Sequence, residues 1–297
     1  MITDKNDFKI SIDFLADWIS GIKRTLESEK YNLDTSGDNE AIIINYFNLR
    51  KRMISAIPRK VIFSLEFTCP DEHREGLNLI IRKATKGEDL TPHLHTKIKS
   101  EPDYNDPLLN DWGIHHLHLG TIIQTNGFVN RTGPVLFVLV TDDNFYLIDI
   151  MDHSSSNQPW AKQKLFDIIH SNWPESINRN ILDGIEMDFH PNEEDRTKLR
   201  KGVLIPTQHS DGTIYFPIGG GSATSGKSIE AVRQAHYYID LIKHIEQHIK
   251  DNVLELMNQF FDIKQIDSLE FHLIKILGGE VLILEKHNKV IFKLLLQ

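Results

Sequence analysis

The chain has 297 residues, a formal net charge of −9 at pH 7 and one cysteine, Cys69, which excludes an internal disulfide and a cysteine-based zinc cluster. Its 40% hydrophobic content suffices for a buried core, and its acidic balance differs from the strongly basic footprint of most nucleic-acid-binding domains. Because residues 1–8 lack the apolar core of a signal peptide and no run reaches the roughly 20 apolar residues of a membrane span, we predict a cytoplasmic protein without membrane association.

The first 90 residues show mainly helical patterns, with apolar side chains at helical spacing over 8–29, 39–56 and 71–86, and one strand predicted at 61–67. Two cationic runs, Arg50-Lys51-Arg52 and Arg59-Lys60, are predicted to lie on solvated surface. Residues 91–112 are polar and rich in Asp and Pro, and they show no periodic element. They predict a long loop or a connection between domains.

From residue 113 the pattern changes to strands joined by hairpin turns, with one long helix at 228–261. Hairpins place strands antiparallel, so we predict an α+β fold with a helical region (1–90) packed on a largely antiparallel sheet, a long helix and a C-terminal β-meander. The region 113–297 would carry the catalytic residues. The remaining predicted elements are strands at 114–120, 135–141, 145–151, 203–207, 213–218, 271–277, 281–284 and 290–296 and a helix at 160–172.

Histidines crowd the predicted strand at 114–120. Side chains alternate along a strand, so His116 and His118 share one face, about 6.6 Å apart, while His115 points to the other. Imidazoles exchange protons near neutrality, so this pair suits phosphodiester cleavage by acid and base. The pair also suits a divalent metal if carboxylates join it. Asp149 and His153, which close the next hairpin with matching parity, are the predicted companions in either chemistry.

Residues 221–228 match the phosphate-loop pattern G-x-x-x-x-G-K-[ST] at the start of the long helix. Glycines and free amides at a helix N-terminus form an anion cradle. The parallel strands and downstream magnesium-binding Asp of a nucleotide hydrolase are not predicted, so phosphate binding without ATPase activity is one interpretation and a plain turn into a capped helix is the other. The candidate phosphate ligands are Gly219, Gly220, Gly221, Ser225, Gly226, Lys227 and Ser228.

Two further groups of side chains accompany these motifs. His93 and His95 form a second histidine pair, which we interpret as part of a mobile loop. The tryptophans around the histidine hairpin suit base stacking, but the preferred interpretation is packing at the edge of the core. They are Trp112, Trp160 and Trp173.

The segment Leu108–Gly120, with the hairpin strand Tyr146–Ile150, Asp152-His153 and Asn172–Glu175, resembles uncharacterised bacterial proteins associated with phage defence. It is loosely similar to toxin ribonucleases of the RelE and EndoU type over residues 105–175. Those enzymes cleave RNA without a metal or cofactor. The resemblance implies His116 or His118 as the base that activates a ribose 2′-hydroxyl, His153 as the acid, and Lys227 or an arginine on the phosphate.

We therefore predict a metal-independent ribonuclease or related phosphodiesterase that acts on RNA, with a toxin or antiviral defence role and a protein partner such as an antitoxin. If the histidines are catalytic, we expect the glycine loop to meet them in one cleft. Two alternatives stay open. One is a module that binds a nucleotide or phosphate ligand without catalysis, and the other is a metal-dependent hydrolase with the ligands His116, His118, Asp149 and His153.

Overall fold

The computed structural model describes residues 9–32, 34, 36–152, 163–199, 206–260 and 268–296. Over these residues the fold is α+β, as predicted, with one long helix and a C-terminal β-meander. Along the described ranges, no helix combines the length and apolar character needed to cross a bilayer.

Residue contacts divide the chain into two units. The terminal unit comprises Met1–Ile43 and Arg233–Gln297, and the central unit comprises Ile44–Val232. This division does not coincide with the predicted boundaries at residues 90 and 112, because the first strand and helix pack with the C-terminal meander.

The terminal unit contains a four-stranded sheet in the order β1-β8-β9-β10. Pairing is antiparallel within the meander, whereas β1 runs parallel to β8. Phe14, Ile249 and Phe271 are buried in its core. The elements are β1 (Lys9–Ile12), α1 (Phe14–Ser28), most of α8 (Ile229–Phe260), β8 (Ser268–Leu277), β9 (Glu280–Glu285) and β10 (Val290–Leu295).

The start of the predicted helix at 8–29 is wrong. Ile10 and Ile12 alternate with polar residues and belong to β1, where they pack against the core of the terminal unit. The helix begins after Asp13, whose Oδ1 accepts a hydrogen bond from the Ala16 amide at 2.9 Å. This N-cap satisfies one of the free amides of the first turn and so defines the start of α1.

The central unit contains a four-stranded sheet in the order β2-β5-β4-β3, with β3 at one end of that order. The strands β3, β4 and β5 are antiparallel, whereas β2 runs parallel to β5. A two-stranded ribbon, β6-β7, is separate from this sheet. The strands are β2 (Lys60–Phe63), β3 (Ile114–His118), β4 (Pro134–Val140), β5 (Asn144–Asp152), β6 (Thr207–Gln208) and β7 (Ile214–Tyr215).

Helices cover this sheet and bury β4, whose apolar residues 135–139 are all buried. Trp112 packs on Phe166, and Trp173 packs on Tyr146, so the core-edge interpretation is confirmed for both tryptophans. Trp160 lies outside the described residues. The helices are α2 (Asn39–Arg52), which begins in the terminal unit, α3 (Arg74–Lys86), α4 (Lys97–Ser100), α5 (Pro107–Trp112), α6 (Gln163–Asn172) and α7 (Glu193–Leu199).

The sequence predicts a long loop or a connection between domains at residues 91–112, but the structure has short helices there. These residues form a 3-10 turn at Thr91–His93 and then α4 and α5. Asp106 caps α5 by accepting from the Leu109 amide, and Gly113, with φ 68°, ends the helix in the left-handed region. These helices are too short to show a repeating apolar pattern, which is why periodicity missed them.

Candidate active site

Three histidines from two segments of the central unit come together at β3. The ring centroid of His95, which precedes α4, lies 6.3 Å from that of His116 and 6.2 Å from that of His118. His116 and His118 share one face of β3, as strand parity predicts. His118 is buried, and His116 is partly exposed. We call these three residues, together with Arg131, the histidine cluster.

His93 fastens the segment that carries His95 to β3. Its ring is 1% exposed, and its Nδ1 lies 2.9 Å from the backbone carbonyl of His118. Burial lowers the pKa of His93, so the ring is neutral and donates its Nδ1 proton to that carbonyl. The predicted mobile loop is therefore a segment held by a buried hydrogen bond.

A close backbone approach positions Arg131 near the same segment. A Cβ atom on Gly120 would lie 2.0 Å from the carbonyl oxygen of Asn130, so this contact requires glycine. The exposed Arg131 follows directly, and its Nη2 lies 3.3 Å from His95 Nε2 and 3.2 Å from Thr96 Oγ1. A cation thus stands at the solvent side of the histidine cluster.

Two hydrogen-bond donors face the ring nitrogens of His95. The Lys97 amide donates to Nδ1 at 3.0 Å, and the Arg131 guanidinium, which can only donate, faces Nε2. A neutral imidazole has one acceptor nitrogen, so it accepts from one of these donors at a time, and a protonated ring accepts from neither. The Lys97 amide and the Arg131 guanidinium thus compete for the acceptor nitrogen of His95.

His115 lies on the other face of β3, and burial lowers its pKa to about 4. It is therefore uncharged at neutral pH and unsuited to act as an acid. His95, His115 and His116 line a narrow cleft of about 20 Å³, which is room for roughly one water molecule. The other residues that line it are Arg52, Leu94, Ile98, Asp106 and Leu109.

Asp149 lies on the same side of the sheet as His116 but two strands away. In the register, His116 pairs with Phe137, and Phe137 pairs with Asp149. Directly paired residues share a face, which places Asp149 roughly 10 Å from His116. Asp149 is buried, and its Oδ2 lies 3.1 Å from Nζ of the exposed Lys164 on α6. His153, its predicted companion, lies outside the described residues.

The glycine loop, Gly219–Ser228, packs against α5. A Cβ atom on Gly219 would lie 1.9 Å from the Leu109 carbonyl oxygen, and the Gly221 amide donates to the Asn110 carbonyl at 2.7 Å. The exposed Ser225 lies in the turn closed by Gly226, whose amide donates to the Ala223 carbonyl. Backbone carbonyls accept from the amides of Gly219, Gly220, Gly221, Ala223, Gly226 and Ile229.

In this geometry the glycine amides of the predicted phosphate cradle already bind carbonyl groups of the chain. The hydrogen-bonded amides are not available to an anion in this conformation, and Lys227 Nζ donates to Asn45 Oδ1 at 2.9 Å. The buried Ser228 accepts from the Ala231 amide at 3.4 Å, as a capping residue does. Among the described residues that line the histidine cleft, none belongs to the glycine loop, so the expected convergence of the two motifs is not observed.

Three residues of the cationic runs, Lys51, Arg52 and Arg59, point inward, whereas Arg50 and Lys60 are exposed. Arg52 donates to the carbonyl of Glu101 at 2.9 Å, and Arg59 donates to that of Thr141 at 2.7 Å. Burial lowers the pKa of Lys51, while Glu230 opposes that shift. Lys51 Nζ donates to three acceptors around the glycine loop: the Gly219 carbonyl at 2.6 Å, Ser228 Oγ at 3.0 Å and Asn110 Oδ1 at 3.1 Å.

No protein-family model matches the chain, and no curated protein or solved structure is found to be similar to it. The site therefore rests on geometry. Sequence reasoning missed His95, Arg131 and Lys164, because their positions depend on contacts between segments. The spacing of His93 and His95, which repeats that of His116 and His118, was the one local signal for His95.

Proposed function

We propose that this protein is a ribonuclease that cleaves RNA without a metal ion at the histidine cluster. The observation that carries the proposal is the meeting of His95 with His116 and His118 beside the exposed guanidinium of Arg131. General acid–base cleavage of a phosphodiester uses side chains that transfer protons beside a cation that stabilises the phosphate. The imidazoles and the guanidinium of this cluster are groups of these two kinds.

The reaction is an internal transfer of the phosphoryl group. A neutral histidine takes the proton of the ribose 2′-hydroxyl, and the 2′-oxygen forms a bond to phosphorus. The bond between phosphorus and the 5′-oxygen breaks, and an acid protonates that leaving oxygen. The products are a 2′,3′-cyclic phosphate and a 5′-hydroxyl, and no oxidant or metal enters the balance.

The surroundings of each side chain suggest its role. His95 and His116 are the partly exposed histidines of the cluster, so we assign the base to one of these two. Arg131 holds the phosphate and offsets the charge that develops on its oxygens. The buried His118 contacts the ring of His95. The acid is the residue predicted from sequence, His153.

Local cations matter in this chain because its net charge of −9 repels RNA at long range. Two exposed cations of the central unit are Arg131, which belongs to the histidine cluster, and Lys164, which lies beside Asp149. RNA and a lone cysteine both suit a cytoplasmic protein. The resemblance to toxin and phage-defence proteins supports an effector role, in which a protein partner restrains the nuclease.

The test is cleavage of single-stranded RNA, with and without a chelator, by the wild type and by His116→Ala and His118→Ala. A matched control is His236→Ala, an exposed histidine of the terminal unit that pairs with Glu40. We expect His116→Ala to lose about 10²- to 10⁴-fold in rate, and the control and the chelator to have no effect. Activity that survives both active-site changes would overturn the assignment. Loss with chelator alone would favour the metal-dependent hydrolase.

A further inference from the structure

A second group of metal-binding side chains lies elsewhere in the central unit. His170 near the end of α6 meets His209 and Asp211 in the turn between β6 and β7. His170 Nε2 lies 3.0 Å from Asp211 Oδ2, and His209 Nδ1 lies 3.1 Å from Asp211 Oδ1. One ligand atom from each of the three residues lies within 4.8 Å of the others.

These separations suit a single small cation. Zinc binds imidazole nitrogen and carboxylate oxygen at about 2.0–2.2 Å, so neighbouring donors of a tetrahedral site lie roughly 3.3 Å apart. The two histidine–carboxylate distances, which involve different oxygens of Asp211, are close to that value. The rings of His170 and His209 are stacked with their centroids 3.6 Å apart, so they would separate to share one ion. Two neutral imidazoles and one carboxylate are also ligand types that zinc and related divalent metals prefer.

The surroundings orient two of these ligands. His170 Nδ1 lies 2.9 Å from the hydroxyl of Tyr215, which is buried in the core. A hydrogen bond at one ring nitrogen directs the other toward a metal. The Thr213 amide donates to Asp211 Oδ1 at 2.9 Å and so fixes the orientation of this carboxylate.

A cavity of about 480 Å³ opens beside this group, and His209 forms part of its wall. Asp167 of α6 and the exposed His190 also line the cavity. Three protein ligands leave a fourth position of a tetrahedral site open, and the cavity reaches the group on the side of His209. That arrangement is typical of zinc sites that exchange a ligand, whereas structural zinc sites are closed by four protein ligands.

We propose that His170, His209 and Asp211 bind a divalent metal ion of the zinc class, with a fourth coordination position facing the cavity. The site shares no residue with the histidine cluster, so the metal proposal does not depend on the ribonuclease proposal. If the site binds no metal, these three side chains instead form a hydrogen-bonded network that fastens the β6-β7 turn to α6.

The test is calorimetric titration of the chelator-stripped full chain with Zn²⁺. Asp211→Asn and His170→Gln remove ligands and should weaken binding by more than about 100-fold, since loss of an outer partner alone costs about 10- to 100-fold. Tyr215→Phe removes such an outer partner, so it should weaken Zn²⁺ binding by about 10- to 100-fold. His236→Gln, which alters an exposed histidine–carboxylate pair, should bind like the wild type.

Two further measurements make the result decisive. Thermal melting of each metal-free variant shows whether it is folded, and substitution of the wild type with Co²⁺ should give the intense visible absorption of a tetrahedral site. Absence of Zn²⁺ binding by the wild type would overturn the proposal. So would an octahedral Co²⁺ spectrum, unchanged binding in folded Asp211→Asn, or binding that is lost in His116→Gln but retained in Asp211→Asn.

Discussion

His95 and His116 lie with their ring centroids 6.3 Å apart at an interplanar angle of 74°, although one precedes α4 and the other belongs to β3. The site is therefore formed by two segments of the chain, the strand β3 and the residues before α4. This relationship also adds to the site a residue that the sequence pattern had assigned to a mobile loop.

The first prediction concerns His95. His95→Ala should lower the rate of RNA cleavage by at least about 10²-fold, because it removes a ring that contacts both strand histidines. Initial rates on a fluorescent RNA oligonucleotide measure the effect. His244→Ala is the control, since the exposed His244 lies on α8, where its ring bonds to the Asp240 carbonyl. A His95→Ala protein that melts like the wild type and retains full activity would contradict the assignment.

The second prediction concerns Arg131. If its guanidinium binds phosphate, Arg131→Ala should reduce the slope of log kcat/KM against log salt concentration by about one. Arg131→Lys keeps the charge but loses the forked geometry, so it should retain the salt dependence and still lose rate. Steady-state kinetics over a range of salt concentrations measure both effects. An unchanged slope in Arg131→Ala would remove Arg131 from the phosphate site.

The third prediction concerns the glycine loop, whose geometry is that of a structural turn. Lys51→Met should destabilise the protein by about 2–3 kcal/mol, because it leaves buried acceptors without their donor. Urea denaturation measures this change, and Lys198→Met, at an exposed ion pair with Glu194, is the control with an expected effect below about 1 kcal/mol. Addition of a nucleoside diphosphate should leave Tm unchanged. A nucleotide-dependent rise in Tm that Lys227→Ala abolishes would restore the phosphate-binding module.

The fourth prediction concerns the pH dependence of stability in the terminal unit. His272 contacts Asp17 Oδ1 at 3.0 Å and Glu270 Oε1 at 2.9 Å, and hydrogen bonds to Asp17 first and Glu270 second raise the pKa of His272. His272 therefore binds its imidazole proton more tightly in the folded protein than in the unfolded chain. Its stabilising contribution is complete below the unfolded pKa of about 6.5 and is lost as pH rises through the higher folded value. Lys286 and His287 also face Glu270.

Thermal melts between about pH 6 and pH 9 measure that contribution. The wild-type Tm should fall more steeply over this range than the Tm of His272→Gln, which has no proton to lose there. His248→Gln, an exposed histidine of α8 that contacts Asn252, should follow the wild type. Parallel curves for the wild type and His272→Gln would show that Asp17 and Glu270 do not stabilise the protonated ring of His272.

Local patterns predicted the strands whose pairing partners are close in sequence. The β3, β4 and β5 strands and the C-terminal meander follow from alternating or continuous apolar residues and turn signals, and strand parity placed His116 and His118 together. The parallel pairs β1-β8 and β2-β5 were not predicted. Their partners are distant in the chain, and no turn signal records such pairing.

The candidate sites depend on contacts that sequence periodicity does not encode. Arg131 reaches His95 because Gly120 and Asn130 touch backbone to backbone. Lys51 lies in a run of three cations that predicts solvated surface, yet its Nζ is buried against carbonyl and hydroxyl oxygens. The glycine motif matches the phosphate-loop pattern, but the amides of its two glycines, Gly221 and Gly226, bind carbonyl groups of the chain. In each case tertiary contacts determined the outcome.

The most direct test of the ribonuclease proposal is the chemistry of the cleaved bond. Wild-type protein is incubated, in the presence of chelator, with an RNA oligonucleotide and with the same oligonucleotide carrying a 2′-deoxy sugar on the 5′ side of the cleaved linkage. Mass spectrometry identifies the ends. We predict a 2′,3′-cyclic phosphate from the RNA and no cleavage at the deoxy position. Cleavage at the deoxy position, or a product that forms only when metal is restored, would contradict the proposed mechanism.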